Sequence, residues 1–278
     1  MVNKQEQEIK KTIRKTYSKI ALQQHDKNAG SSSSSCCGPE CCSGAGGEGG
    51  TISPVKAAAA VGYETSEIQS VPQASVLGVG CGAPLKFADL QEGETVVDLG
   101  SGAGIDVFLS SKQVGARGRV IGTDMTDEML ERARRGAKEG GYTNVEFRKG
   151  DIEERIPVDN NSVDVVISNC VINLTINKEN VFKEVYRILK NGGRGRMVIS
   201  DLIVDSEVAT SAANSEKWSS CIDGALTKEH YLDSIKKAGF QTVEILSETL
   251  YNEDGSGGEQ TENKRRKISS VVIKAVKK

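Results

Sequence analysis

The chain has 278 residues, of which 37% are hydrophobic and 27% charged, and its formal net charge is −2. This composition supports a sizeable folded core, and the slight negative charge argues against a nucleic-acid partner, which usually requires a basic surplus. No apolar run approaches the roughly 18 residues that span a bilayer, and the Lys- and Glu-rich start of the chain lacks the apolar region of a secretory signal. We therefore expect a cytoplasmic protein that does not associate with membranes, and separately we expect a monomer.

The N-terminal region combines a predicted helix with a Cys-rich segment of low complexity. Within residues 3–24, apolar side chains recur at helical spacing at Ile9, Ile13, Tyr17 and Ile20. This spacing predicts an amphipathic helix whose apolar stripe packs on the rest of the protein. Residues 29–50 contain a serine run, two cysteine pairs and many glycines, a composition typical of a flexible segment.

Strands and helices alternate from residue 95 onward. The predicted strands are 95–99, 119–123, 145–147, 163–168, 196–200, 242–250 and 268–276, and the predicted helices are one ending near 113, then 127–139, 178–189 and 228–238. This order predicts an α/β fold with a seven-stranded, mostly parallel sheet and helices on both faces. Only a polar, Gly-rich loop joins the last two strands, so we expect a hairpin and an antiparallel last strand.

A Gly-rich turn follows the first predicted strand. Gly100, Gly102 and Gly104 allow a tight turn and close approach of the backbone to a ligand, and the helix that follows offers free N–H groups. The Gly-x-Gly-x-Gly spacing differs from the Gly-x-Gly-x-x-Gly of dinucleotide sites. The acid that precedes the turn, Asp98, suits a ligand with a cationic amino group better than one with a pyrophosphate.

The second and third predicted strands also end in acids. Asp124 and Met125 follow the second strand, and Asp151 and Ile152 follow the third. A carboxylate at the end of the second strand can accept hydrogen bonds from both hydroxyls of a ribose, and one after the third strand can accept from an adenine amino group. The alternative is that both acids cap turns or helices.

These strand-end motifs resemble the class I S-adenosylmethionine-dependent methyltransferases over residues 95–278. The resemblance implies that the cofactor is S-adenosylmethionine, with the glycine turn against its methionine portion, Asp124 on the ribose, and the residues after the third strand at the adenine. The candidate cofactor-binding residues are Asp98, Gly100, Ser101, Gly102, Gly104, Asp124, Met125, Asp151, Ile152 and Asn169.

The chain has seven cysteines and only two histidines. In a reducing compartment this odd number argues against a disulfide framework and favours soft-ligand binding or redox chemistry. Cys81 lies in a Gly-rich loop, Cys170 directly after the fourth predicted strand, and Cys221 after the fifth. A single cysteine is as often an inert core residue as a functional one. Three cysteines near a sulfonium methyl donor instead favour the binding of a soft centre such as trivalent arsenic.

The segments 78–82, 167–174 and 221–226 closely resemble the arsenite methyltransferase family. The resemblance implies that the substrate is arsenite or its thiol conjugates, and that Cys170 and Cys221 hold the arsenic throughout, joined by Cys81 for the first step. We expect residues 51–278 to form the cofactor-binding domain, with arsenic-binding additions at 51–94 and 204–226, and residues 1–50 to form the N-terminal helix and flexible segment.

The same resemblance implies a redox role for the N-terminal cysteines. One of them would form a disulfide with Cys81, and glutathione or a thioredoxin-type partner would then restore the thiols. The candidates are Cys41 and Cys42, with Cys36 and Cys37 as the other choices.

The sequence leaves three alternatives open. The paired N-terminal cysteines could hold zinc or a stray metalloid ion. The enzyme could methylate a small organic acceptor, which requires an acid or base near Cys170 that the sequence does not reveal. The chain could also be a thiol-rich metalloid-binding or redox protein. The three acids at successive strand ends argue against that last alternative, because sequestration needs no cofactor pocket.

Overall fold

The computed structural model describes residues 4–22, 53–251 and 266–278. Within these ranges the strands are β1 (Thr95–Leu99), β2 (Arg119–Asp124), β3 (Val145–Lys149), β4 (Val165–Asn169), β5 (Gly195–Val204), β6 (Leu226–Thr227), β7 (Thr242–Tyr251) and β8 (Ile268–Lys277). The helices are α1 (Lys4–Leu22), α2 (Pro54–Ala60), α3 (Thr65–Ser70), α4 (Leu85–Ala88), α5 (Ile105–Val114), α6 (Asp127–Glu139), α7 (Lys178–Ile188), α8 (Ser215–Ser219) and α9 (Lys228–Lys237).

All the strands join one sheet in the order β3-β2-β1-β4-β5-β8-β7, and β6 pairs with β5. Neighbours among β1–β6 are parallel, whereas β8 is antiparallel to both β5 and β7. The predicted α/β fold with an antiparallel last strand is confirmed, and the two-residue β6 is an addition to the seven expected strands. The strand order reverses between β1 and β4, which is where ligands bind in sheets of this kind.

The sheet is buried on both faces. Val97 of β1 belongs to a cluster that contains Phe182 of α7 and Tyr231 of α9, whereas the neighbouring Val96 packs in a second cluster with Phe108 of α5. Both valines are fully buried, because successive side chains of a strand point to opposite faces. This double burial explains the almost continuous apolar runs of the parallel strands.

Helix α1 packs along α6 and α8 at the edge where the parallel strands end. Its stripe residues Ile9, Ile13 and Ile20 are all buried, which confirms the prediction that this face packs on the protein. Polar contacts fix the helix further, since Ser18 Oγ donates to Glu128 Oε2 of α6 at 2.9 Å. Helix α1 therefore lies over the edge of the sheet that carries the predicted site.

Candidate active site

The turn between β1 and α5 depends on glycine. The backbone φ angles at Gly100, Gly102 and Gly104 are 62°, 51° and 93°, in the left-handed region that other residues seldom adopt. A Cβ added at Gly100 would lie 2.4 Å from Cγ1 of Val171. Glycine at position 100 therefore permits both the bend and the close approach to the segment that follows β4.

Asp124, the last residue of β2, holds this turn in place. Its Oδ2 accepts a hydrogen bond from the Gly102 amide at 3.0 Å, and its Oδ1 accepts one from the Thr126 amide at 2.8 Å. Burial raises the pKa of Asp124, and the backbone donors oppose that rise. Asp151 makes a similar turn contact, since its Oδ1 accepts from the Glu153 amide at 3.0 Å. Both acids thus do make the local hydrogen bonds expected of turn-capping residues.

Both acids also line a cavity at the carboxyl edge of the sheet. The predicted cofactor-binding residues that line this cofactor cavity are Gly100, Gly102, Asp124, Met125, Asp151, Ile152 and Asn169, together with Cys170. Asp98, Ser101 and Gly104 are not among its lining residues. Asp98 is only 3% exposed, and its burial, with the charges of Asp106 and Asp124, raises its pKa well above the usual range.

Helix α1 supplies a wall of this cavity that the sequence did not predict. Lys10, Ile13 and Tyr17 line it. The Lys10 Nζ lies 3.0 Å from Asp151 Oδ2 and 3.1 Å from Glu153 Oε2. The sequence predicted a packing face for this helix, but nothing in its periodicity identified the partner.

Three cysteines that are far apart in the chain come together beside this cavity. Cys81, Cys170 and Cys221 are free thiols, and all are buried. The Cys221 thiol donates a hydrogen bond to the Cys170 carbonyl oxygen, with the sulfur 3.0 Å from the oxygen. Hydrogen bonds that the Cys170 thiol makes with the Cys221 and Cys81 thiols, together with burial, raise the pKa of Cys170 well above its usual range. We call these three residues the thiol cluster.

Two members of the thiol cluster have unusual backbone conformations. The φ angles of Cys170 and Cys221 are 60° and 67°, and a non-glycine residue in this region costs on the order of 1–3 kcal/mol. Cys170 turns the chain after β4, and Cys221 turns it after α8. Trp218 of α8 holds these two turns together, because its Nε1 donates to the Leu174 carbonyl at 2.9 Å.

A second cavity borders the thiol cluster. All three cysteines line it, as do residues of the β7–β8 hairpin such as Ser247 and Ser270. Cys170 lines both cavities. Ligands in the two cavities would therefore meet at the thiol cluster.

Asp201 of β5 adds a carboxylate to the thiol cluster. One of its oxygens and the sulfurs of Cys81 and Cys170 all lie within 4.8 Å of one another. Asp201 accepts hydrogen bonds from the Asn173 amide and the Tyr231 hydroxyl, each at 3.0 Å. Burial raises the pKa of Asp201 to about 7 against the opposing charge of Lys178.

Comparison with known proteins identifies the family. Residues 90–239 match the methyltransferase-domain family. One similar solved structure is that of CrArsM, an arsenic(III) S-adenosylmethionine methyltransferase from Chlamydomonas reinhardtii. The alignment covers 81% of this chain and 74% of the CrArsM chain, with 30% sequence identity and a TM-score of 0.58. The chain belongs to the arsenite methyltransferase family. The arsenite methyltransferase of Halobacterium salinarum is 42% identical over 216 residues, and that of Mus musculus is 37% identical over 170 residues.

The alignment with the Halobacterium salinarum enzyme covers 75% of this chain and 54% of that relative. The alignment with the Mus musculus enzyme covers 58% of this chain and 44% of that relative. The chain thus spans about half the length of the curated relatives it matches. A phosphoethanolamine N-methyltransferase from Haemonchus contortus, solved with S-adenosyl-L-methionine, aligns with 82% of this chain and 60% of its own at 17% identity and a TM-score of 0.57. This likeness shows the fold alone, which is that of S-adenosylmethionine-dependent methyltransferases.

Several predictions for this family member fall outside the part of the chain that the structure describes. All four N-terminal cysteines, Cys36, Cys37, Cys41 and Cys42, lie there, so their redox and metal-binding roles stay predictions.

Among the described helices, none combines the length and apolar character needed to cross a membrane.

Sequence reasoning missed one acid of the site in this family member. Asp201 directly follows the predicted strand 196–200, and the same kind of position had identified Asp124. An acid directly after the fifth predicted strand was therefore a usable signal.

Proposed function

We propose that this chain is an arsenite methyltransferase, which transfers methyl groups from S-adenosylmethionine to trivalent arsenic held by cysteine thiolates. One observation carries the proposal: Cys81, Cys170 and Cys221 together line the second cavity, and Cys170 also lines the cofactor cavity. Curated relatives from Halobacterium salinarum and Mus musculus bear the same name. The proposal includes the reducing cytoplasm as the site of action and a monomeric enzyme.

The residues of the cofactor cavity fit S-adenosylmethionine. Asp124 offers a carboxylate suited to ribose hydroxyls, and Met125 and Ile152 offer apolar surface suited to the adenine ring. The φ angles of the glycine turn leave its backbone open to close approach. When bound, S-adenosylmethionine supplies an electrophilic methyl group on a positively charged sulfur.

The thiol cluster fits trivalent arsenic as substrate. Soft thiolates select soft centres, and three sulfur ligands leave the arsenic lone pair free in the fourth direction. Each thiol that replaces a hydroxide ligand of arsenite gives up its proton, which leaves with that hydroxide as water, so binding needs no external base. Cys170 reaches both cavities, which supports methyl transfer across the cluster, with alignment of the two reactants supplying most of the acceleration.

Methylation raises arsenic from the trivalent to the pentavalent state, a change of two electrons. We infer that Cys81 and an N-terminal cysteine, Cys41 or Cys42, return these electrons by losing their protons and forming a disulfide. Glutathione or a thioredoxin-type dithiol then reduces this disulfide by thiol–disulfide exchange and is itself oxidised. No catalytic base is required for the methyl transfer, because the arsenic lone pair is the nucleophile.

The direct test incubates purified protein with arsenite, glutathione and S-adenosylmethionine, followed by chromatographic separation and mass detection of arsenic species. The expected product is methylated arsenic. Cys170→Ser should abolish this product while calorimetric affinity for S-adenosylhomocysteine stays within about twofold, because Cys170 contributes no charge or strong hydrogen bond to the cofactor. Full activity of Cys170→Ser on arsenite would overturn the proposal.

Asp201 favours one alternative that sequence reasoning left open. A methyltransferase of a small organic acceptor needs an acid or base near Cys170, and the Asp201 carboxylate lies within 4.8 Å of that sulfur. The two functions differ in their response to thiol alkylation. Alkylated protein should lose all activity if the acceptor is thiolate-bound arsenic, and should retain turnover if the acceptor is an organic molecule activated by Asp201.

A further inference from the structure

A buried chain of hydrogen bonds connects α5 to the loop that carries Cys81. Tyr63 and Asp106 are 6% and 4% exposed. The Tyr63 hydroxyl lies 2.8 Å from each carboxylate oxygen of Asp106, and Asn169 Nδ2 donates to that hydroxyl at 2.9 Å. Because a tyrosine hydroxyl has a single hydrogen, Tyr63 donates to Asp106 and accepts from Asn169.

The amide of Asn169 has only one orientation that satisfies its partners. Its Nδ2 also donates to the Gly82 carbonyl at 2.7 Å. Its Oδ1 accepts from the amides of Cys81 at 3.1 Å and Gly82 at 3.3 Å. Reversing the amide would set its nitrogen against the amide donors of Cys81 and Gly82 and its oxygen against the Gly82 carbonyl, a mismatch that buried groups avoid. The Tyr63 hydroxyl and the Gly82 carbonyl therefore fix the side of Asn169 that faces Cys81.

The glycines beside Cys81 allow its loop to lie directly against these hydrogen-bonded side chains. A Cβ at Gly80 would lie 2.7 Å from Asn169 Nδ2, and one at Gly82 would lie 2.1 Å from Ser200 Oγ. On the far side of the loop, Ser270 Oγ donates to the Cys81 carbonyl at 2.7 Å. The backbone of Cys81 is thus held on both sides, and Asn169 directly precedes Cys170. One amide side chain therefore sets the spacing between two members of the thiol cluster.

We propose that Tyr63 is a positioning residue for Cys81, acting through Asn169 to hold this third thiol against Cys170 and Cys221. Tyr63 lines neither cavity, so it contacts neither proposed ligand directly. Removal of its hydroxyl leaves the buried Asp106 carboxylate without this donor and frees Asn169 to turn toward Asp106, which releases the Cys81 amide. Arsenic would then have two thiolate ligands instead of three, an expectation that rests on the proposed function.

The test uses Tyr63→Phe, which keeps the ring, in the full chain with Cys36, Cys37, Cys41 and Cys42 replaced by serine. Arsenic X-ray absorption should count three sulfur neighbours in the parent and two in the variant. Iodoacetamide labelling, read by peptide mass without arsenic, should modify Cys81 at least about tenfold faster in the variant, since losing one buried hydrogen bond is worth about a factor of ten.

Tyr142→Phe is the matched control, because Tyr142 packs on Phe108 of α5 with ring centroids 4.6 Å apart. It should leave both readouts unchanged. Equal Cys81 labelling rates in parent and Tyr63→Phe would overturn the positioning role. A parent that binds no arsenic would instead overturn the proposed function, while the labelling rates still decide the role of Tyr63. If Tyr63→Phe does not fold, Asp106→Asn replaces it and should raise the labelling rate in the same direction.

Discussion

The thiol of Cys221 donates to the carbonyl oxygen of Cys170 at 3.0 Å, and both residues have left-handed backbone conformations. The contact joins two turns that are 51 residues apart in the chain. Backbone strain at two touching residues is costly, and it persists only where the surrounding structure enforces it. Strain of this kind concentrates at functional sites, which supports our proposal that this pair binds the substrate.

Cys221→Gly should separate substrate binding from stability. Glycine adopts positive φ without strain, which offsets the lost burial of the thiol. We therefore expect a free energy of unfolding within about 1 kcal/mol of the wild-type value. Arsenite binding should nevertheless be lost, because a ligand is missing. Urea unfolding and arsenic binding assays measure the two effects, and full arsenite affinity in the glycine variant would rule out Cys221 as a ligand.

Asp124→Asn should weaken cofactor binding. The amide nitrogen would face either the Gly102 or the Thr126 amide, both of which now donate to the carboxylate. A hydrogen bond to a charged group is worth about 1.5–3 kcal/mol, so we expect the affinity for S-adenosylhomocysteine to fall about 10- to 100-fold. The matched control is Asp127→Asn, since Asp127 pairs with Lys149 at the surface. Equal calorimetric affinities for the two variants would contradict the role of Asp124.

The sequence predicted the parts of the site that depend on position along one strand. Asp124 and Cys170 follow apolar strands, and parallel strands end at the same edge, so their proximity could be inferred. The extent of β5 was less predictable. Its strand was expected to end at residue 200, whereas it continues to Val204, because donors from Asn173 and Tyr231 allow Asp201 to be buried within it.

Contacts between distant elements could not be predicted in the same way. Tyr63 and Asn169 are 106 residues apart, and no periodicity reports such a pairing. The spacing of Ile9 and Ile13 predicted a buried face on α1, but a helical pattern does not specify what that face contacts. Asp98 was expected to bind cofactor. Asp98 is the residue before the last one of β1. At this position it is buried and does not line the cofactor cavity.

Ile13→Ala should loosen α1 more than Lys10→Met does. Ile13 is 1% exposed, and truncating such a residue costs about 2–5 kcal/mol. The Lys10 side chain, which forms ion pairs, is 26% exposed. Partly exposed ion pairs contribute about 1 kcal/mol or less to stability. Hydrogen exchange of the α1 amides should therefore accelerate strongly in Ile13→Ala and only modestly in Lys10→Met. The reverse order would show that charge, not packing, holds this wall of the cofactor cavity.

Asp201→Asn should change the pH dependence of stability. Burial raises the pKa of Asp201 to about 7, whereas an aspartate in an unfolded chain has a pKa of about 4, so between these pH values the folded protein binds a proton that the unfolded chain has released. Stability from this group is therefore lost as the pH rises through this window. Asparagine does not titrate, so the stability of Asp201→Asn relative to wild type should increase from pH 5 to pH 8. Urea unfolding at four pH values measures this, with Asp205→Asn at the exposed end of the same segment as control. A difference between Asp201→Asn and wild type that stays constant from pH 5 to 8 would mean that the carboxyl group titrates alike in both states.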